Sequence, residues 1–242
     1  MATPPYRSGD FIVTARGVFI AGTDTGVGKT YAACALLQRL RASGLLATGM
    51  KPVASGCADA PDGLRNDDAL ALIAASNPRP DYVDCNPFAF AEPVSPHIAA
   101  VVSGRVVTLP PIEAAYARLA ARTGVVVVEG VGGWLAPLSD TLLANAIPRT
   151  LGLPVILVVG LRLGCLNHSL LTARAIRADG CRLIGWIGNR IDPAMNAVDA
   201  NIATLRAGLG TRCLGVLGYR KRADPALASA ELDAVPELVG AG

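Results

Sequence analysis

The stretch "GTDTGVGKT", residues 22–30, combines glycines with a lysine and a threonine directly after the apolar run 18–21. A phosphate-binding P-loop has this composition between a strand and a helix, because its glycines let backbone N–H groups turn toward a phosphate. Lys29 is then the residue that reaches the β- and γ-phosphates, and Thr30 is the one that holds Mg²⁺. An ordinary glycine-rich turn is the alternative, and the predicted strand and helix on either side favour the P-loop.

This loop is one residue longer than the common P-loop. The usual pattern places a glycine at the position of Thr23, and here the glycine stands one residue earlier, at Gly22. Loops of the form GGKGGVGKT occur in the MinD/ParA-like ATPases, whose signature lysine acts across a dimer. Asp24 occupies the place of that lysine, so the signature charge is reversed. This reversal argues against a standard member of that group.

Two acidic positions could complete a metal site beside the loop. Glu129 ends the apolar run 125–128, which is the Walker B arrangement of a carboxylate at the end of a buried strand. Asp67 and Asp68 open a predicted helix, where an acidic residue more often serves as a cap or first-turn acid. We expect Glu129 and one of these two aspartates to approach the loop.

A second lysine, Lys51, stands in "KPVASG" after another apolar run. The chain has only three lysines against nineteen arginines, so a lysine at this position is informative. An ammonium group is a compact point charge that a guanidinium does not replace. Two lysines near one phosphate site indicate an anion that carries more charge than ATP alone.

Apolar, β-branched runs alternate with helical patterns along the chain. Predicted strands begin at Val18 and include 45–50, 125–128, 155–159, 183–187 and 213–216; predicted helices span 31–43, 67–76, 111–122, 166–179 and 196–207, and 77–96 is a predicted loop. This alternation predicts a single-domain α/β fold, a mostly parallel sheet with helices on both faces. Ligands of such sheets bind at the carboxyl ends of the strands.

Composition limits the class of protein. Apolar residues make up 52% of the 242 residues, and the mean hydropathy is +0.42. The apolar runs are far shorter than the ~20 residues of a spanning helix, so no membrane segment is expected. The net charge is +3 with scattered basic residues, which does not indicate nucleic-acid binding. Residues 1–17 lack a signal-peptide pattern and are predicted to be an extension ahead of the domain 18–242, in a cytoplasmic protein.

Six segments in this order resemble the dethiobiotin synthetase family. They are "GTDTGVGKT", "KPVASG", "GLRNDDALAL", "NPFAFAEPVSPHIAA", "VVVEGVGGWLAPLSD" and "LPVILVVGLRLGCLNHSLLTARAI", and the resemblance extends over about residues 18–216. It implies a homodimer that uses CO₂, MgATP and 7,8-diaminononanoate to close a cyclic urea. A carbamate, and then a carbamic–phosphoric anhydride, are the implied intermediates.

The resemblance also implies roles for individual residues. Lys51, Lys29 and Thr23 match catalytic positions, and Thr30, Asp68 and Glu129 match the ligands of Mg²⁺. ATP-binding positions are Gly26, Val27, Gly28, Lys29, Thr30, Tyr31, Asp68, Glu129, Gly130, Val131, Gly132 and Asn189, of which Asn189 reads adenine. Substrate-binding positions are Ser55 and, from the partner subunit, Gly164, Cys165 and Asn167.

Two departures and two alternative functions accompany this interpretation. Gly26 replaces a common acidic residue, and 214–220 replaces a proline-containing segment beside the nucleotide base, so the choice between ATP and other nucleotides stays open. A MinD/ParA-type switch ATPase is one alternative, which predicts a lysine where Asp24 stands. A cofactor amidoligase is the other, and the segments "GLRNDDALAL" and "GCLNH" are not expected in it together.

Overall fold

Parallel strands form the main sheet of the protein, whose computed structural model describes residues 16–239. The strands within these residues are β1 (Arg16–Gly22), β2 (Ala47–Met50), β3 (Val53–Ala54), β4 (Phe88–Ala89), β5 (Val125–Glu129), β6 (Val155–Gly160), β7 (Leu183–Asn189) and β8 (Cys213–Leu217). Six of them pair in the order β2-β5-β1-β6-β7-β8, and every pair is parallel. The short strands β3 and β4 form a separate parallel pair beside it.

Helices connect these strands and cover both faces of the sheet. They are α1 (Lys29–Ala42), α2 (Asp67–Ala75), α3 (Tyr82–Cys85), α4 (Pro96–Val102), α5 (Leu109–Ala120), α6 (Ala146–Thr150), α7 (Cys165–Ala178), α8 (Val198–Gly208), α9 (Pro225–Ser229) and α10 (Pro236–Val239). Consecutive side chains of a strand point to opposite faces. Thus Val18 and Ile20 of β1 pack in the apolar core with α1 and α2, while Phe19 and Ala21 pack in the core with α5 and α7.

The predicted α/β architecture with a mostly parallel sheet is confirmed. The strands read as continuous apolar runs because helices bury them on both faces. β1 begins at Arg16 rather than at Val18, so two residues of the predicted extension belong to the sheet, and residues 1–15 lie outside the described residues. The helix predicted at 111–122 begins at Leu109, since the prolines that follow fit its first turn.

The largest error concerns the stretch 77–96, which was predicted to be a loop. It contains α3, β4 and the first residue of α4. A two-residue strand and a one-turn helix are too short to give a periodic pattern, and tertiary contacts decide whether they form. The helices α9 and α10 near the C-terminus were missed for the same reason.

The parallel strands bring the predicted site residues to one edge of the sheet. β5 lies between β2 and β1, with Met50 opposite Val128 and Ile20 opposite Glu129. Lys51 directly follows β2, and the P-loop directly follows β1. The two lysines and Glu129 therefore meet at the carboxyl ends of three adjacent strands.

The segment that follows β5 is anchored by the carboxylate of Asp179. Trp134 Nε1 and Asn145 Nδ2 each donate a hydrogen bond of 2.7 Å to Asp179 Oδ2. The bond from Asn145, followed by the bond from Trp134, lowers the pKa of Asp179 below its ordinary value. Trp134 is itself buried, as is Trp186.

Between residues 16 and 239, no helix combines the length and the apolarity that crossing a membrane requires.

Candidate active site

The P-loop wraps around the side chain of its own lysine. Gly26 and Gly28 have positive φ angles of 76° and 84°, a left-handed conformation that glycine adopts without strain. Lys29 Nζ donates a hydrogen bond of 2.9 Å to the carbonyl oxygen of Asp24. A Cβ atom on Gly22 would lie only 2.9 Å from Lys29 Cδ, so a side chain at this position would displace that of Lys29. The loop thus holds its ammonium group close to the backbone amides that bind phosphate.

Lys51 lies between two carboxylates beside this loop. Its Nζ is 2.5 Å from Glu129 Oε1 and 2.9 Å from Asp68 Oδ2. Thr30 Oγ1 donates a hydrogen bond of 2.9 Å to the same oxygen of Glu129. Lys51 and Glu129 are only 3% and 1% exposed, respectively. The predicted convergence of Thr30, Lys51, Asp68 and Glu129 is therefore present, and Asp68 rather than Asp67 is the aspartate that reaches the site.

Burial and neighbouring charges shift the pKa values of these groups in different directions. Burial disfavours the ammonium of Lys51, yet Glu129 and Asp68 outweigh it and raise the pKa of Lys51, so this residue stays charged. Burial also disfavours the carboxylate of Asp68, but Lys51 lowers the pKa of Asp68 below its usual value. Burial and the charge of Lys51 lower the pKa of Lys29 to about 8. The site is thus a concentrated set of opposite charges in which Lys51 and Glu129 are buried and the Asp68 side chain is 44% exposed.

The same oxygens suit a magnesium ion. Mg²⁺ prefers carboxylate and hydroxyl oxygens and is commonly held by one or two carboxylates together with substrate phosphates. Thr30 Oγ1, Asp68 and Glu129 supply this set of donors. Glu129 Oε2 is buried without a hydrogen-bond partner among the described residues, which leaves an oxygen able to bind a cation. These residues fit the ion that the P-loop implies.

A cavity of about 850 Å³ opens over the loop and the charged cluster. Its size matches the upper part of the range for small-molecule sites. It is lined by predicted residues (Gly26, Gly28, Lys29, Thr30, Tyr31, Lys51, Ser55, Asp68, Glu129, Val131, Gly132) and by Thr25, Cys34, Ala54, Asn66, Ala71, Pro93, Val94, Ser95, Pro96, Gly133, Ala136, Pro137, Ala223 and Pro225. The cavity therefore has space for a nucleotide and a second substrate next to each other.

Asn189, the predicted adenine reader, lies behind the loop at the end of β7. Its Nδ2 donates a hydrogen bond of 3.0 Å to the carbonyl oxygen of Val27. A Cβ atom on Gly28 would overlap with the same nitrogen. Asn189 thus packs directly on the P-loop and supports its shape, and its contact with adenine stays a prediction.

Sequence and structure comparisons place the chain among known proteins. A family model described as an AAA domain matches residues 16–226. The chain is 55% identical over 208 residues to the ATP-dependent dethiobiotin synthetase of Xanthomonas euvesicatoria, covering 86% of this chain and 93% of that one. It is 54% identical over 191 residues to the enzyme of the same name from Xylella fastidiosa, covering 79% and 84%.

The chain belongs to the dethiobiotin synthetase family.

A solved structure agrees with this assignment at the level of the fold. The septum site-determining protein MinD from Pyrococcus horikoshii aligns with a TM-score of 0.52 at 14% identity, over 93% of this chain and 94% of that one. At this identity the likeness shows a shared P-loop fold and nothing about activity. The relation to the dethiobiotin synthetases rests on the sequence identity.

Some of the residues predicted from the family lie outside the cavity of this single chain. Thr23 directly follows β1, and its backbone N–H donates to the carbonyl oxygen of Val158. Gly164, Cys165 and Asn167 form the beginning of α7, where Cys165 is buried and Asn167 is exposed. Val27 and Gly130 also do not line the cavity. Their roles in binding stay predictions.

The structure adds contacts that the sequence did not indicate. Arg162 Nη2 donates a hydrogen bond of 2.6 Å to Asp24 Oδ2, which ties the P-loop to the turn before α7. Residues 93–96 form one wall of the cavity and belong to the quoted segment "NPFAFAEPVSPHIAA". The sequence did not indicate this role, because none of these four residues has a charged or catalytic side chain. The residues from the C-terminal segment, Ala223 and Pro225, had no sequence signal at all.

Proposed function

We propose that this protein is an ATP-dependent dethiobiotin synthetase that carboxylates 7,8-diaminononanoate with CO₂ and closes it to a cyclic urea. The observation that carries this proposal is the position of Lys51, a buried ammonium beside the P-loop and in contact with both predicted metal-binding carboxylates. Hydrolysing P-loop enzymes also use a second cation, such as an arginine finger. Here the second cation is a buried lysine of the same chain, and a reaction that joins two anions, a carbamate and a phosphate, needs such a charge.

The proposed reaction has three steps. One amine of the diamine attacks CO₂ and forms a carbamate, with loss of a proton. A carbamate oxygen then attacks the γ-phosphorus of ATP, the bond to the β-phosphate oxygen breaks, and ADP leaves. The second amine attacks the carbamoyl carbon and loses a proton, the C–O bond to phosphate breaks, and inorganic phosphate leaves as the ring closes. All atoms of the urea thus come from the diamine and CO₂.

The residues of the site act by position and charge. Lys29 lies in the P-loop, where it neutralises phosphate oxygens. Lys51 follows β2, which β5 separates from β1 and its P-loop, and from there its ammonium draws carbamate and phosphate oxygens together. Mg²⁺, held by Thr30, Asp68 and Glu129, would neutralise further phosphate charge. Such preorganised charges are the main source of catalysis in phosphoryl transfer.

We also propose that two copies of the chain complete the substrate site. Asn167 and the N-terminus of α7 lie outside the cavity of their own chain, with Asn167 exposed to solvent. Leu163, just before this helix, is 96% exposed, and Leu171 on the helix is 56% exposed. Burial of these side chains by a second copy would bring the start of α7 to the other chain's cavity. The backbone N–H groups of this start favour a carboxylate.

The competing functions are less compatible with the site. A switch ATPase of the MinD/ParA type requires a lysine at the position of Asp24, and this aspartate forms an ion pair with Arg162 at 2.6 Å. Neither this alternative nor an amidoligase accounts for identities of 53–55% to several dethiobiotin synthetases.

The test is incorporation of labelled CO₂ into 7,8-diaminononanoate by the purified protein with MgATP, with ADP measured in parallel. We expect one label in a stable cyclic urea for each ADP formed. ATP consumption without uptake of label, or no consumption in a folded protein, would contradict the proposal and favour the switch ATPase or the amidoligase.

A further inference from the structure

The backbone of Lys51 is fixed by a segment that has no catalytic side chain of its own. The N–H of Lys51 donates a hydrogen bond of 2.7 Å to the carbonyl oxygen of Cys85, the last residue of α3. The carbonyl oxygen of Lys51 accepts a hydrogen bond of 2.6 Å from Asn86 Nδ2. Both polar groups of the lysine backbone are therefore held by two consecutive residues.

A chain of hydrogen bonds continues from Asn86 to the helix that carries Asp68. Tyr82 Oη donates to Asn86 Oδ1 at 3.0 Å and accepts from the backbone N–H of Asn66 at 2.7 Å. Asn66 caps α2, because its Oδ1 accepts from the N–H of the first helical turn at 3.2 Å. Asp68 lies in that first turn and contacts Lys51 Nζ at 2.9 Å. The contacts thus form a closed ring that begins and ends at Lys51.

The direction of every hydrogen bond in this ring is determined. Asn86 faces the carbonyl oxygens of Lys51 and Phe88, and both can only accept, so its amide nitrogen must point to them. Its oxygen is then left to accept from Tyr82. The Tyr82 oxygen accepts from a backbone N–H, so its single proton is available for Asn86. A hydroxyl is the group that can both accept and donate here.

The two asparagines of the ring are shielded from water, while Tyr82 is half-buried and the Asp68 side chain is 44% exposed. Asn86 is 3% exposed and Asn66 is 8% exposed. The guanidinium of Arg65 lies over the Tyr82 ring, 4.3 Å from its centroid. Hydrogen bonds in such surroundings are stronger than in water, and an unpaired member is costly. The ring is therefore stiff enough to fix the position of Lys51 relative to Asp68.

We propose that Tyr82 and Asn86 are positioning residues that set the ammonium of Lys51 relative to Asp68. Lys51 and Asp68 lie 17 residues apart in the sequence, and the Tyr82–Asn86 link joins the backbone of Lys51 to the N-terminus of α2. Because phosphoryl transfer depends on placement, a small shift between the two groups slows the reaction without removing any reacting group. This inference rests on the proposed function, since it assigns Lys51 a part in that reaction.

The first test compares Tyr82→Phe with Tyr116→Phe. Both tyrosines are half-buried, and Tyr116 lies on α5, away from the site. A misplacement of about 1 Å can cost about a hundredfold in rate, so we expect Tyr82→Phe, which removes one hydrogen bond of the ring, to lower kcat roughly tenfold. The KM for MgATP should change by less than kcat, because Asp68 is the one predicted ATP-binding residue in the ring. A kcat equal to that of the control variant would overturn the proposal.

The second test uses the double variant Tyr82→Phe/Asn86→Ala. Two residues of one ring break the same link, so the double variant should lose no more kcat than the worse single variant. Independent effects would instead multiply, to roughly a hundredfold if each is tenfold. A multiplied loss would show that the two residues do not act as one ring.

A readout that does not depend on the reaction separates this inference from the proposed function. Crystal structures of the wild type and Tyr82→Phe give the distance from Lys51 Nζ to Asp68 Oδ2, which is 2.9 Å here. We expect it to exceed hydrogen-bond length in the variant. An unchanged distance would overturn the positioning role, whether or not the wild type forms dethiobiotin. Absence of product from the wild type would overturn the proposed function alone.

Discussion

Removal of the Lys51 side chain should abolish turnover and leave nucleotide binding intact. In the proposed reaction a carbamate oxygen approaches a phosphate, so two negative charges come within about 4 Å. At an effective dielectric constant of about 20 their repulsion is about 4 kcal/mol, which corresponds to roughly a thousandfold in rate. Lys51 is positioned to offset this repulsion. We therefore expect Lys51→Ala to lower kcat by about that factor.

The same substitution has a cost in stability that the experiment must separate. Lys51→Ala leaves Glu129, which is 1% exposed, without its neighbouring cation. Loss of one partner of a buried pair costs about 3–5 kcal/mol, a large part of the stability of a domain. Chemical denaturation should therefore precede the kinetics, and only folded protein should be assayed. Lys221→Ala removes an exposed lysine and serves as the matched control.

The assay is single-turnover formation of cyclic urea from labelled CO₂, with MgATP affinity measured by calorimetry on the same preparations. Folded Lys51→Ala should bind MgATP, because its P-loop contacts with phosphate remain. A kcat within tenfold of the wild type would refute the charge argument. Loss of nucleotide binding together with turnover would show instead that Lys51 belongs to the ATP site.

Four further variants test other parts of the structure. Gly28→Ala and Gly26→Ala each introduce about 1–2 kcal/mol of strain, because both residues have a left-handed backbone. Only the Cβ atom of Gly28→Ala also collides with Asn189, so calorimetry should show a greater loss of ATP affinity for this variant. Equal losses would contradict this packing. Arg220→Ala removes the hydrogen bond of 2.9 Å from Arg220 Nη1 to Tyr31 Oη, one of several contacts between the C-terminal segment and α1. It should raise the KM for ATP roughly fivefold at constant kcat, and an unchanged KM would place this contact outside the nucleotide site. Asp179 has a lowered pKa, so its charged form stabilises the fold above about pH 4, and this contribution is lost as the pH falls through the folded-state pKa. The difference in unfolding free energy between wild type and Asp179→Asn should therefore shrink below that pH, and a constant difference would contradict the assignment.

The chemistry of the site could be predicted from short segments because each segment carries its own physical signature. The P-loop has glycines in a fixed pattern, and its two left-handed residues, Gly26 and Gly28, are glycines because other residues are strained there. Glu129 follows a run of four valines that only a buried strand explains. A carboxylate at the end of such a strand is rare enough to be noticed without a structure.

The sequence could not show the residues that act through backbone contacts. Asn86 holds Lys51 by its carbonyl group, and a carbonyl group is the same in every residue. Tyr82 acts one contact further away, through its hydrogen bond to Asn86. The short elements around them, α3 and β4, exist because of contacts with distant parts of the chain. No local pattern of apolar residues records such contacts.

The sequence by itself determined the class of fold, the phosphate loop and the two lysines, because apolar periodicity and glycine placement are local properties of the chain. Only the tertiary structure decided that Asp68 and not Asp67 meets Lys51, and that Asp24 forms an ion pair with Arg162. These outcomes depend on which residue in the first turn of α2 faces Lys51 and on the register of the parallel strands. Both are set by the packing of the whole core, which brings together residues far apart in the chain.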